Sequence, residues 1–457
     1  MGLGEVVREP AGRRRRSLVV AVLLLAGVVV LAVAAPWRPG PTMPPSGASV
    51  SVGPSASGDT SPSASPSPSA SAPTPSSGPG EPVVIGTVTT HPNLPPARPL
   101  ERGLLAGAGE GWSLVEYSAV QADVPFTAGP TILYLAGPDG EVYQAHDFGV
   151  GAHVRLADWA ATSSLVLVLT GPEGRSEGYT TVQALDLETG DVVASFDLEP
   201  GFGTFAASFT QPTGRNVVVR ATNGERGWLK RFSLDGQELA TLVAGVDQQG
   251  DWFSPTWLYG QDGTYVVVGG DGLSAAGDDG LSRVSVDGTT TTPIPLPAGT
   301  VSCRPIRWWD STRLLAGCAD DFGPNPGDPT LRLTGSNMWL IPMTGQAATR
   351  LSSHVSESVV DYGITDLWEV EGTRYARWYG DCGAVSFGTL DAGGIYTAEV
   401  SGVDVLGHRG ETFVGRRLES CGDPGGELVV LNGPDGAVRV VVPRVGDAEG
   451  VRQVVVR

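Results

Sequence analysis

At 457 residues the chain is long enough for more than one ordinary domain, but 64 Gly and 36 Pro, with long apolar runs confined to the N-terminal region, exclude a mainly helical protein and favour short strands joined by many turns. Lys and Arg number 30 against 49 Asp and Glu, a formal charge of −19, and because the first sixteen residues hold five arginines and two glutamates, everything after them carries −22. So acidic a body repels phosphate backbones and anionic headgroups, which argues against nucleic acid as a partner.

The chain opens on a basic tail, residues 1–16, that ends in Arg13 to Arg16. Residues 17–35 follow as an uncharged run that would measure about 28 Å as a helix, close to the hydrocarbon thickness of a bilayer. The arginine block places the N-terminus in the cytoplasm and the remainder outside, as a single-pass membrane protein. The alternative is a signal peptide cut before Ala35, where Ala32, Val33 and Ala34 form a small-x-small site, giving a secreted protein. No cysteine stands near the run, so a lipoprotein anchor is excluded. Residues 36–82 are dominated by Pro, Ser, Ala, Gly and Thr; they cannot bury enough apolar surface to fold and read as a disordered stalk.

From residue 100 to 457 two kinds of tight turn alternate. One precedes a strongly apolar strand, as at Ser163-Ser164, Gly214-Arg215, Gly263-Thr264, Ser311-Thr312, Gly372-Thr373 and Gly410-Glu411. The other is a two-residue hairpin signal at Asp139-Gly140, Thr189-Gly190, Asp235-Gly236, Asp287-Gly288, Thr344-Gly345, Ser401-Gly402 and Asp435-Gly436, with glycine steps of 50, 46, 52, 57, 57 and 34. A unit of about fifty residues with four strands, A to D, and two hairpins has the size of one propeller blade. The expected fold is therefore all-β, a single β-propeller of seven blades, with six as the alternative because the last spacing is irregular. Val451 to Arg457 either closes the ring or leaves that task to Val83 to Val88. Strand B, with runs such as Leu165 to Leu169, is expected to be buried on both faces.

The stretches Phe209 to Val219 (FTQPTGRNVVV) and Pro255 to Val268 (PTWLYGQDGTYVVV) place an aromatic strand, a turn and an apolar strand in that order. This resembles the blade signature of TolB-like and tryptophan-aspartate-repeat-like propellers. The resemblance implies a propeller used mostly as a binding scaffold. The basic tail before the membrane run also resembles those of actinobacterial anti-sigma-like membrane proteins.

Four cysteines in an exported domain read as two disulfides. Cys303 and Cys318 lie symmetrically about the Asp310-Ser311 turn, opposite each other on strands A and B of one blade. Cys382 and Cys421 both follow strand B in successive blades, where a staple between blades fits; the remaining pairings are the alternatives.

All B-to-C connections emerge on one face, and here they are acidic: Gly171 to Gly178, Gly269 to Gly280 with Asp278 and Asp279, and the segment holding Asp320, Asp321 and Asp328. Such oxygens suit calcium or a basic ligand, or are solvated loop tips; no cofactor is expected beyond calcium, and no loop has EF-hand spacing. Trp257, Trp308, Trp309 and Trp368 fall on predicted A strands near the axis, where aromatics either line a sugar or peptide pocket or fill the core between blades. Asp366 and Glu369 flank Trp368 as an acid pair for glycoside chemistry or as satisfied strand-end groups. Ala384 to Gly388 lacks the helix of a serine elbow, Gly107 to Gly111 lacks that of a phosphate cradle, and His146 and His153 have no third ligand. The expected function is an extracytoplasmic propeller tethered to the membrane that binds a protein, peptide or glycan without catalysis. Its rivals are a propeller hydrolase or lyase acting on envelope carbohydrate and an accessory of envelope-stress signalling.

Overall fold

The computed structural model describes residues 84–85 and 87–457, apart from the short segments 122–128, 161–162, 173–177, 224–226, 247–256, 270–279, 326–327, 356–360, 381–382, 420–424 and 434–436. The basic tail, the apolar run 17–35 and nearly all of the stalk lie outside the described residues, and among those described no helix is long and apolar enough to cross a membrane.

Six hairpin turns that join A to B, each followed by an apolar run, set the architecture. Blade 2 comprises β6 (Val154–Trp159), β7 (Leu165–Thr170), β8 (Thr181–Asp186) and β9 (Asp191–Asp197), paired antiparallel in that order. Blade 3 repeats it with β10 (Gly203–Phe209), β11 (Asn216–Thr222), β12 (Gly227–Ser233) and β13 (Glu238–Val246), and blade 4 with β14 (Trp257–Tyr259), β15 (Tyr265–Val268), β16 (Leu281–Ser285) and β17 (Thr291–Ile294). Blade 5 holds β18 (Thr300–Trp308), β19 (Arg313–Asn325), β20 (Asp328–Pro342) and the two-residue β21 (Thr349–Arg350). Blade 6 holds β22 (Asp361–Val370), β23 (Thr373–Gly380), β24 (Val385–Leu390) and β25 (Tyr396–Ser401), and a single parallel pair, Ser336 with Gly363, links it to blade 5. Blade 7 holds β26 (Val403–Arg409), β27 (Thr412–Arg417), β28 (Glu427–Asn432) and β29 (Arg439–Val442).

Blade 1 joins the two ends of the folded chain. Its strands β3 (Ser113–Gln121), β4 (Pro130–Ala136) and β5 (Val142–Val150) take their innermost partner from β30 (Ala448–Val456), which runs antiparallel to β3 from Ser113–Val456 to Gln121–Ala448. The C-terminal segment therefore closes the ring. Tyr117 fixes the approach, its hydroxyl accepting from Val445 N at 3.0 Å, and Arg457 clasps the far end, donating to Ala108 O at 3.0 Å and Ser163 O at 2.8 Å with its guanidinium 3.5 Å over the ring of Trp159. Val84–Ile85 (β1) instead pairs with β2 (Arg98–Glu101), which lies parallel to β5 on the outer side of blade 1.

First strands of neighbouring sheets touch one another, as β6 does β10 and β26 does β30, so they form the inner wall. Fourth strands such as β9 and β25 are largely exposed. Seven apolar clusters fill seven seams: Leu114 and Leu133 meet Leu156 and Val166 between blades 1 and 2, for example, and Trp368 and Phe387 meet Val405 and Phe413 between blades 6 and 7. A four-stranded sheet cannot cover both its own faces; neighbours in a closed ring do, at about 1.5 to 3 kcal/mol per fully buried large side chain. The described residues thus form a seven-bladed β-propeller.

One turn assignment needs correction. Ser401-Gly402 is not the hairpin within blade 6: it stands between β25 and β26, and the C-to-D turn of that blade is Asp391 to Gly394, where Asp391 Oδ1 accepts from Gly393 N at 2.8 Å and Ile395 N at 2.9 Å. With Gly394 in place of Gly402 the last two glycine steps become 49 and 42 instead of 57 and 34, and the irregularity that suggested six blades disappears.

Candidate functional site

The inner strands are kinked at matching heights. Their pairing skips one residue at Ala157, Phe205, Ile306, Thr365, Leu406 and Arg452, on β6, β10, β18, β22, β26 and β30. Such a bulge leaves one residue out of the ladder and re-aims its neighbour. On β6 and β22 the next residue is an aspartate whose carboxylate takes the adjacent N–H, Asp158 Oδ1 from Trp159 N and Asp366 Oδ1 from Leu367 N, each at 2.8 Å.

Side chains beside these bulges cross every seam. Glu116 Oε2 accepts from Leu156 N at 2.6 Å between blades 1 and 2, and Asp158 Oδ2 from Phe209 N at 2.8 Å between blades 2 and 3. Trp257 Nε1 donates to Ser208 Oγ at 3.0 Å between blades 3 and 4, and Trp308 Nε1 to Tyr259 O at 2.6 Å between blades 4 and 5. From blade 5 to blade 6, Arg304 donates to Thr365 O at 2.6 Å and Arg307 to Leu367 O, while Arg307 Nη1 lies 2.8 Å from Asp366 Oδ1. Arg377 continues to blade 7 through Val405 O at 3.2 Å and Asp404 Oδ1 at 3.0 Å, and Arg416 to blade 1 through Arg452 O at 2.7 Å.

Where this belt returns to blades 1 and 2, cations outnumber what faces them. Arg452, the bulged residue of β30, lies 3.6 Å from Glu116 Oε1 and 3.8 Å from Glu449 Oε2, and its side chain is 27% exposed. Arg416 reaches Asp404 only at 3.9 Å, and Asp404 is already held by Arg377. Arg155, on β6 next to Leu156, makes no hydrogen bond or ion pair among the described residues; burial pushes its guanidinium below its ordinary value, nearby Tyr179 and Glu116 oppose that, and the charges of Arg452 and Arg416 add to it. Tyr179 shares a hydrogen bond with Arg452 and stacks on His153, with ring centroids 4.5 Å apart. Glu116 is fully buried, and desolvation raises its carboxyl above the usual range although Arg452, the Leu156 N–H and Arg155 pull it down. Three guanidiniums from blades 2, 7 and 1 therefore converge toward the end of the axis where the B-to-C and D-to-A connections emerge.

The residues singled out from sequence have other surroundings. The rings of Trp257 and Trp368 are buried between blades, Trp368 against Phe387 and Phe413, and those of Trp308 and Trp309 pack half-buried against the cores on either side of blade 5. Asp366 pairs with Arg307, and Glu369 with Arg374 at 3.3 Å. Asp320 is buried and accepts from Asn337 Nδ2 at 2.7 Å and Arg350 Nη2 at 2.5 Å, and Asp321 accepts from Gly323 N at 2.9 Å. Asp278 and Asp279 lie outside the described residues, and Asp328 begins β20. Among the described residues no group of three or more His, Cys, Asp or Glu is placed to hold a metal ion. Cys303 and Cys318 are direct cross-strand partners joined by a disulfide, while Cys382 and Cys421 lie outside the described residues.

Sequence reasoning passed over Arg155, Arg377, Asp404, Arg416, Arg452 and Glu116. No local pattern marks these six; among the belt residues only Asp158, Arg307 and Asp366 carry a signal, a charge set just before an A-strand tryptophan, as in Asp158-Trp159, Arg307-Trp308 and Asp366-Leu367-Trp368.

No protein-family model and no curated protein sequence matches the chain. Among solved structures it is similar to prolyl oligopeptidase B from Galerina marginata, with a TM-score of 0.43 and 9% identity over 69% of this chain and 48% of that one. It is also similar to the tricorn protease (0.44, 12%, 73% and 34%) and to the β-propeller domain of the trilobed protease from Pyrococcus furiosus (0.42, 10%, 69% and 88%). The chain spans about half the length of the first and about a third of the second.

Proposed function

We propose that the chain is an extracytoplasmic β-propeller, held at the membrane by residues 17–35 and spaced from it by the stalk 36–82, that binds a ligand at the axial mouth on the face of the B-to-C connections. The blade signature's likeness to TolB-like propellers fits this use. The observation that carries the reading is the division of labour among the interior polar groups: most of the charges and indoles along the inner wall are engaged in seam bonds, whereas the side chain of Arg155 has no hydrogen bond or ion pair among the described residues and stands beside Arg416 and Arg452, which use only part of their donors within the chain. The pairing of Asp366 with Arg307 and of Glu369 with Arg374 favours binding over glycoside chemistry, because neither carboxylate is poised as a free acid or base.

Protease added to intact cells checks the placement. Degradation of the propeller with the basic tail retained in the membrane fraction is the expected result; a propeller protected until lysis refutes it.

A further inference from the structure

We propose that Arg155, Arg416 and Arg452 together hold an oxyanion, a carboxylate or phosphate group, of the ligand that enters the axial mouth. The inference rests on the binding reading above and names the chemistry it selects.

Each guanidinium presents five N–H donors in a rigid fork suited to the paired oxygens of carboxylate and phosphate. Within the chain these donors are unevenly used. Arg416 engages the Arg452 carbonyl, Arg452 shares a hydrogen bond with Tyr179 and is otherwise spread between Glu116 and Glu449 at 3.6 and 3.8 Å, and the Arg155 side chain has no hydrogen bond or ion pair among the described residues. The facing carboxylates do not make up the difference. Glu116 Oε2 is taken by Leu156 N, its buried Oε1 stands 3.6 Å from Arg452 without a hydrogen bond, and Asp404 is shared with Arg377. A half-buried guanidinium without partners is costly in a folded chain unless something arrives to meet it. Arg416 and Arg452 remain 19% and 27% exposed at the side chain, so a small anion has access. The surrounding protein is strongly acidic, which makes this local excess of positive charge the feature an anion would be drawn to and discourages its capture elsewhere on the surface.

The test uses the full-length chain in neutral detergent, with thermal unfolding followed as inorganic phosphate, glucuronate or chloride is added at constant ionic strength. The expected result is a saturable rise of about 2 °C or more with phosphate or glucuronate and none with chloride. A stronger response to phosphate assigns a phosphate-bearing ligand, and a stronger response to glucuronate a carboxylate-bearing one. R155Q should abolish the rise while leaving the ligand-free midpoint level or higher, because the cost of burying the charge outweighs what Glu116 returns and no side-chain hydrogen bond is lost. R155K, which keeps the charge but not the fork, should need several-fold more anion. The inference fails if both oxyanions behave like chloride, if R155Q responds like the wild type, or if R155Q alone lowers the midpoint by several degrees. None of these results depends on cellular placement, so failure here leaves the extracytoplasmic reading standing, and failure of the protease experiment leaves this one to be judged on its own.

Discussion

Removing the Arg377 side chain should be among the most damaging single changes in the ring. Its Nη1 donates to Asp404 Oδ1 at 3.0 Å and Val405 O at 3.2 Å, and its Nε to Thr365 Oγ1 at 3.1 Å, so one side chain ties β22, β23 and β26 across the seam of blades 6 and 7. Burial pushes the guanidinium down, but Asp404 and Asp366 outweigh it and hold the group above its ordinary value. Both ends of the pair are well covered, with side chains 17% and 11% exposed. In R377M the Asp404 carboxylate keeps only Arg416, at 3.9 Å, and breaking a buried pair from one side costs about 3 to 5 kcal/mol. At a urea slope of about 3 kcal/mol/M that is a midpoint shift of about 1 M or more. D404N alone should cost less, since an amide oxygen can still accept from Arg377, and R377M/D404N should fall short of the sum of the singles by about 1 to 3 kcal/mol. Tryptophan fluorescence reports the transition, Trp368 lying in the affected seam. A shift in R377M under about 1 kcal/mol, or single effects that simply add, refutes the view that the belt holds the blades together.

Acid should loosen the seam between blades 5 and 6. Burial would raise the Asp361 carboxyl, but its pairing with His354 Nε2 at 2.8 Å and the N–H groups of Trp378 and Gly363 outweigh that and hold it below the usual range. A lowered folded value means stability that is fully present above about pH 4 and lost as pH falls through the folded value, so midpoints of the wild type should drop below pH 4 more steeply than those of D361N. At pH 7 D361N should be less stable by about 1.5 to 3 kcal/mol, and an unchanged acid slope in D361N counts against the pairing. Replacing Cys303 and Cys318 with alanine opens a crosslink with a sequence separation of 15 and should cost about 3 kcal/mol without altering the far-UV spectrum; equal midpoints for the mutant and the oxidised wild type rule this out. Tyr117→Phe strips the acceptor from Val445 N at the closing strand and should cost about 1 to 3 kcal/mol, with faster amide exchange along β30 as the signature that separates a loosened closure from a general loss.

What could be read beforehand was whatever the chain settles locally. Hairpin glycines are legible because two-residue turns need positive φ, as at Gly140 (94°), Gly236 (86°) and Gly288 (73°), and apolar B strands announce themselves by composition. The same logic explains the error at Gly402. Its φ of 75° is as positive as those of the true hairpins, and nothing in a Ser-Gly pair says whether it joins strands of one blade or of two. Trp257, Trp308 and Trp368 do lie on inner strands, whereas Trp309 falls just past β18 in the turn to β19, and composition gives no sign of whether an indole faces solvent or donates across a seam as Trp257 and Trp308 do. The charged belt was out of reach for a different reason. Glu116 and Arg452 meet because the last strand is laid on the first blade, and Arg377 meets Asp404 because two blades abut; each pairing depends on ring closure, to which local pattern is blind.

Ring closure also explains why so acidic a protein gathers arginine at its centre. The inner strands carry backbone groups that no further strand can pair, and buried N–H and C=O groups left without partners are expensive. An N–H needs an acceptor and a carbonyl needs a donor, and the seams sort accordingly. Carboxylates serve the N–H groups of Leu156 and Phe209 in the arc of blades 1 to 3, and guanidiniums serve the carbonyls of Thr365, Leu367, Val405 and Arg452 in the arc from blade 5 through blade 7 to blade 1. Arg304, Arg307, Arg377 and Arg416 thus have structural work that accounts for them. Arg155 stands where the two arcs meet and its side chain serves no backbone group among the described residues, so the packing that explains the other arginines does not explain this one, and a partner from outside the chain is what its position leaves open.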